Sequence, residues 1–258
     1  MIVADSKKLM FIHIYKTGGS SITRLMMPHI SEDFRTKYPR TNGACWQSTW
    51  HFDATQHSKL AHALPLLEKS NLDLNEYTKF IFVRNPYSWI LSIWNNFYQS
   101  PRGNLENNLQ NSVKFMFRGI LNKKLSSQYF YEMYPDGSFK SFVLFIKAIV
   151  QKNPPIIEKI WGATDQYSFI ENERNISFDF IGRFENLQED VNKIYNMTTN
   201  TEKIAAVPHE VMAENKEARQ DYLKYYDEES IEIVNELFHR DFKAFGYQPI
   251  NVLVKQRS

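Results

Sequence analysis

The chain has 258 residues, of which 43% are apolar and 15% aromatic, with a net charge of +2. That is enough apolar material for one globular domain, and the near-neutral net charge lacks the strong polyanion-binding signature that a nucleic-acid-binding protein more often shows. The single cysteine, Cys45, excludes an intramolecular disulfide, which fits a reducing compartment.

The first element is an apolar run, Met10-Phe11-Ile12-His13-Ile14, read as a strand. A polar turn, Tyr15 to Ser21, contains Gly18 and Gly19. Ile22, Leu25 and Met26 then fall at helical spacing. Strand, glycine turn and helix together make an anion cradle. Glycines bring main-chain N–H groups inward, and the helix points its positive end at the same place. Ser20 and Ser21 are positioned to cap that helix or donate hydroxyls, and Lys16 adds a mobile charge. The ATP-type loop reads G-x-x-x-x-G-K-[ST]; here Lys16 precedes both glycines.

Residues 27–56 read as loop with short elements. His57 to Lys69 reads as a helix with Leu60, Leu64 and Leu67 on one face. Tyr77 to Val83 reads as a buried parallel strand, followed by Arg84-Asn85-Pro86. Pro86 suits a helix's first turn, and Tyr87 to Tyr98 carries that helix. Residues 99–112, rich in Asn and Gln, read as a mobile loop or substrate lip. Ser138 to Gln151 is an apolar helix, stopped by Asn153-Pro154-Pro155. Phe178 to Arg183 reads as a strand and Asn186 to Tyr195 as a helix. Ala218 to Tyr226 and Glu229 to Phe245 read as late helices ending at Gly246. No stretch is apolar over the ~18 residues that a membrane span needs. The alternation predicts an α/β fold, a single domain over residues 1–258 with a central parallel sheet flanked by helices.

Arg84 follows a strand's carboxyl end, where open α/β sheets bind ligands. Ser92 lies eight residues further, two helical turns along. A guanidinium and a hydroxyl are suited to a phosphate monoester. The pair K-T-G-G-S-S (Lys16 to Ser21) and R-N-P with a serine eight after its arginine resembles the two-part donor signature of sulfotransferases. These enzymes use 3′-phosphoadenosine 5′-phosphosulfate (PAPS). Ile181-Gly182-Arg183-Phe184-Glu185-Asn186-Leu187 is similar to a segment of the carbohydrate type (family 2), as are Tyr222 to Asp227 and Asp241 to Tyr247. The resemblance runs from about residue 9 to 247 and lapses over 99–155, where an acceptor-specificity insert is expected.

The resemblance implies a P-loop-like sulfotransferase fold and transfer of the sulfuryl group of PAPS to a carbohydrate or other hydroxyl acceptor without a metal; the single cysteine and an N-terminus that does not read as a signal peptide lead to the expectation of a cytoplasmic enzyme. Lys16 would neutralise the leaving oxygen, and Thr17, Gly18, Gly19, Ser20 and Ser21 would hold the 5′-phosphate. Arg84 and Ser92, with Lys216 and Arg219 as weaker candidates, would hold the 3′-phosphate. His57, 27 residues before Arg84, would be the general base, with His51 in reserve, then Asp53; imidazole suits the task because it titrates near neutrality. Transfer to a small alcohol or phenol is the first alternative. A nucleotide kinase with Asp179 as magnesium ligand, or a non-catalytic PAPS- or glycan-binding protein, are the others.

Overall fold

The computed structural model describes residues 1–37, 57–99, 126–198 and 221–252. His51, Asp53, Lys216, Arg219, Cys45 and nearly all of the predicted 99–112 lip lie outside them. The chain divides into two compact units, residues 1–84 with 166–213, and residues 85–165 with 214–258.

The first unit is built on a four-stranded sheet in the order β1-β2-β3-β4. Its strands are β1 (Ile2–Ala4), β2 (Leu9–Ile12), β3 (Thr78–Val83) and β4 (Phe180–Arg183). β2, β3 and β4 are parallel, with Phe11 beside Phe80 and Val83 beside Arg183. β1 runs antiparallel on the outer edge of β2, Ile2 opposite Phe11. Sequence reading places one strand here, over 10–14. The chain in fact turns back through Asp5–Lys7 and Lys8 in the left-handed conformation, making a second strand from Ile2-Val3-Ala4. Every residue of β1 and β2 is buried, so neither shows alternation.

The helices of this unit are α1 (Gly19–Met26), α2 (Glu32–Lys37), α3 (Leu60–Ser70) and α7 (Leu187–Thr198). α1 starts three residues before the predicted Ile22. Gly18 is its N-cap, and no side chain caps it, so Ser20 and Ser21 lie within the first turn and the predicted serine cap is not made. α3 starts at Leu60 rather than His57, leaving His57 in the turn before it.

The second unit is helical: α4 (Pro86–Phe97), α5 (residues 126–133), α6 (Phe139–Lys152), α8 (Glu228–Leu237) and α9 (His239–Phe245). Asn85 caps α4 by accepting from Tyr87 N–H, with Pro86 in the first turn. Ser138 caps α6, and Asp227 and Ser230 form a reciprocal capping box on α8. The predicted helix Ala218 to Tyr226 is a 3₁₀ turn over Asp221–Tyr225 among the described residues. The predicted Glu229 to Phe245 helix is broken at Phe238, which ends α8 and opens α9. Trp89, fully buried, meets Phe238 edge-on at 5.9 Å between ring centres. That packing gives the apolar Phe238 a reason to sit at the break. Tyr226 donates its hydroxyl to the Tyr87 carbonyl at 2.8 Å.

Candidate functional site

Parallel strands deliver their carboxyl ends to one side of the sheet, and the loops after β2, β3 and β4 gather there in the first unit. The loop after β2 holds Tyr15 to Gly18. Thr17 is fully buried, and its hydroxyl donates to the Ile14 carbonyl at 2.7 Å. That bond closes the turn, so the Thr17 hydroxyl serves the loop's shape. Lys16 takes a left-handed conformation, φ 63°, and Gly18 follows at φ 86°. For a lysine this conformation costs about 1–2 kcal/mol, and such strain concentrates at functional positions.

Gly18 and Gly19 are needed for different reasons. Gly18 takes a backbone shape that side chains disfavour, and a Cβ there would also meet Leu187 at 3.0 Å. Gly19 has ordinary helical backbone, but a Cβ would lie 2.0 Å from the His13 ring. The N–H groups of Gly18, Gly19 and Ser20 open α1, where no preceding helical turn accepts from them. The Ser21 N–H already donates to the Gly18 carbonyl at 3.1 Å, and the Ser21 side chain is buried. Ser20 is the exposed serine of the turn.

Arg84 ends β3. Its guanidinium donates to the Lys16 carbonyl at 3.3 Å and lies over the Phe184 ring, 4.3 Å from its centre. Phe184 also lies against Gly18, 3.3 Å from where a Cβ would sit. Three segments separated by long stretches of chain, at Lys16 to Gly19, Arg84 and Phe184 to Leu187, thus converge. Ser92 is carried by α4 of the second unit, half-buried.

His57 reaches the same loop. Its Nδ1–H donates to the His13 carbonyl at 3.0 Å. A carbonyl only accepts, so Nδ1 holds the proton and the neutral ring keeps a lone pair on Nε2. The ring stands edge-on to His13 at 4.5 Å and to Tyr15 at 5.8 Å. His13 is buried and stacks on Phe11 at 5.5 Å, a core position. His62 is exposed on α3.

Asp179 does not serve as a magnesium ligand beside the glycine turn. It accepts from the N–H of Lys79 at 2.7 Å and pairs with the Lys79 ammonium at 3.0 Å. Lys79 is the second residue of β3, so the pair lies at the opposite end of the strand from Arg84. Burial pushes the Asp179 carboxyl up, but the bonds from Lys79 outweigh it and hold it below the usual carboxylate range. Among the described residues no group of three or more His, Cys, Asp or Glu is placed to hold a metal ion. None of their helices is long and apolar enough to cross a membrane.

A family model described as "Sulfotransferase family" matches residues 1–248. The chain belongs to that family. Carbohydrate sulfotransferase 9 of Homo sapiens is 23% identical to this sulfotransferase-family chain over 259 residues, 95% of the chain and 52% of the human protein. The chain thus spans about half the length of that relative. No solved structure matches it.

Sequence reasoning missed two side chains of this candidate site. Phe184 belongs to the family-like segment, but its place under Arg84 had no local signal. Gln166 lies between the predicted helix Ser138 to Gln151 and the predicted strand Phe178 to Arg183, where no element was expected.

Proposed function

We propose that the protein transfers the sulfuryl group of PAPS to a hydroxyl of a carbohydrate or glycoconjugate. The observation that carries this reading is the joining of the two halves of the donor signature: Arg84 donates to the carbonyl of Lys16 across 68 positions of sequence. An isolated glycine turn or an isolated R-N-P supports little; both at one place support a ligand with two phosphate groups.

In this reading the N–H groups of Gly18, Gly19 and Ser20 bind the 5′-phosphate, and Arg84 binds the 3′-phosphate, with Ser92, Lys216 and Arg219 as further partners. His57 accepts the acceptor's hydroxyl proton at Nε2 as the new oxygen–sulfur bond forms. The bond from sulfur to the bridging phosphate oxygen breaks, and Lys16 neutralises the charge that develops on that oxygen. The products are the sulfate ester and adenosine 3′,5′-bisphosphate; the proton leaves with His57. Each step is acid–base or group-transfer chemistry that these side chains supply, so the reading requires no metal.

The sugar acceptor rests on the Ile181 to Leu187 segment and on the human relative's name. The test joins binding to transfer. Adenosine 3′,5′-bisphosphate is expected to raise the melting temperature, as any ligand selective for the native state does, while ATP–Mg²⁺ does not. Labelled sulfate from PAPS is expected to reach oligosaccharides in an acceptor panel. Stabilisation without any transfer would favour a binding protein, transfer confined to phenols would overturn the sugar assignment, and stabilisation by ATP–Mg²⁺ alone would overturn the whole reading.

A further inference from the structure

Arg84 needs more than its own strand to hold it. β3 pairs with β2 through Ile81 and with β4 through Val83, and both ladders stop before Arg84. Its main-chain N–H and C=O would lose their partners where the guanidinium must be aimed. Gln166 fills that place. Its Oε1 accepts from the Arg84 N–H at 2.9 Å, and its Nε2 donates to the Arg84 carbonyl at 2.8 Å. One side-chain amide thus supplies the donor and the acceptor that a neighbouring strand would have given.

The amide is itself fixed. Gln166 is fully buried. Its main-chain carbonyl accepts from the Phe169 N–H at 3.1 Å, at the start of a 3₁₀ turn over Tyr167–Phe169. Phe169 is buried and meets the Tyr15 ring edge-on at 5.5 Å. Tyr15 adjoins Lys16, so the brace and the glycine turn share one packed cluster. A buried amide is costly unless bonded, and a hydrophobic residue would fill the volume at less risk. What an amide at 166 uniquely supplies is a one-residue extension of β3.

We propose that Gln166 is a positioning residue that locks the main chain of Arg84 and thereby sets affinity for the 3′-phosphate of the donor. This rests on the PAPS reading above for the identity of the ligand, but the locking of Arg84 does not. Two variants separate the cases. Gln166→Met keeps the volume and removes both bonds; Gln166→Asn keeps a neutral amide but is one methylene too short to span both main-chain groups of Arg84, so it serves if the methionine variant fails to fold. The binding readout is the ratio of affinities for adenosine 3′,5′-bisphosphate and adenosine 5′-monophosphate, which isolates the 3′-phosphate. Gln166→Met is expected to lower that ratio about tenfold and Gln166→Asn about fivefold, the scale of losing one or two buried hydrogen bonds. Affinity for the monophosphate should stay within about threefold, because the glycine turn is untouched. The second readout, without nucleotide, is amide hydrogen exchange: protection at Arg84 should fall at least about tenfold while Phe82 keeps its protection.

Unchanged protection at Arg84 would overturn the locking, whatever binds. Lost protection with an unchanged affinity ratio, or equal weakening of both nucleotides, would overturn the link to the 3′-phosphate and leave a generic core role. A wild-type protein indifferent to the 3′-phosphate would overturn the donor reading itself, with the exchange result still deciding whether Gln166 holds Arg84.

Discussion

Gly19→Ala is the sharpest test of how the glycine turn is built. At an exposed position inside a helix the change from glycine to alanine stabilises by about 1 kcal/mol. Here the sign should reverse. Gly19 needs no unusual φ, so strain in the backbone is not the cause. The new Cβ would lie 2.0 Å from both Cδ2 and Nε2 of His13. Contacting carbon atoms settle at about 3.5–4.0 Å, so the ring must retreat by about 1.5 Å. His13 is 2% exposed, stacked on Phe11 and edge-on to His57, so the retreat displaces packed neighbours. Overpacking of this kind costs about 1–3 kcal/mol, and the depth of the overlap puts Gly19→Ala at the upper end. For a chain of this size, about 3 kcal/mol corresponds to a melting temperature lowered by roughly 6–12 °C. The assay is thermal unfolding of wild type, Gly19→Ala, His13→Ala and the double variant. In the His13→Ala background the second change should cost less than about 1 kcal/mol, because the obstructing ring is gone. A Gly19→Ala protein as stable as wild type, or strictly additive effects in the double variant, would refute the reasoning.

Lys16→Ala should lower kcat by about 10²–10³-fold, the scale of losing one preorganised stabiliser of a developing oxyanion, with a smaller change in KM for PAPS; steady-state kinetics with a saturating acceptor decides, and a near-normal kcat would remove Lys16 from the chemical step. His57→Ala should lower turnover by about 10²–10⁴-fold while calorimetry shows adenosine 3′,5′-bisphosphate bound with unchanged affinity; normal turnover would move the base elsewhere. Asp227, the N-cap of α8, has its carboxyl pushed up by partial burial and pulled down further by bonds from the Lys140 ammonium and Ser230, to about 2. A depressed folded-state value means the contribution is full above the ordinary carboxylate range and lost as pH falls towards 2, so Asp227→Ala should cost about 1 kcal/mol near neutrality and flatten the acid limb of a stability profile, measured by denaturant titration from pH 6 to 2; an equally steep limb would contradict the assignment.

Local chemistry alone determined much of this protein. Gly18 and Gly19 after an apolar run mark strand and turn, Pro86 and Asn85 mark a helix start, and Gly246 marks a helix end; each is a constraint that acts within a few residues. The α/β class follows from how such segments alternate. Boundaries were less legible where packing outweighed pattern: Ile2 to Ala4 became a strand because Leu9 to Ile12 offered it an edge, and the late helix broke at Phe238, which packs against Trp89. The site divides the same way. Lys16, Arg84 and His57 stood out as candidates by residue type and position, because the chemistry proposed for them belongs to single side chains. Their relations were not. The hydrogen bond from Arg84 to Lys16, the Phe184 ring beneath that guanidinium, the His13 carbonyl that sets the His57 tautomer and the Gln166 amide that extends β3 each join residues tens of positions apart. No local periodicity encodes such pairs; they exist only once parallel strands have brought their carboxyl ends to one side of a sheet.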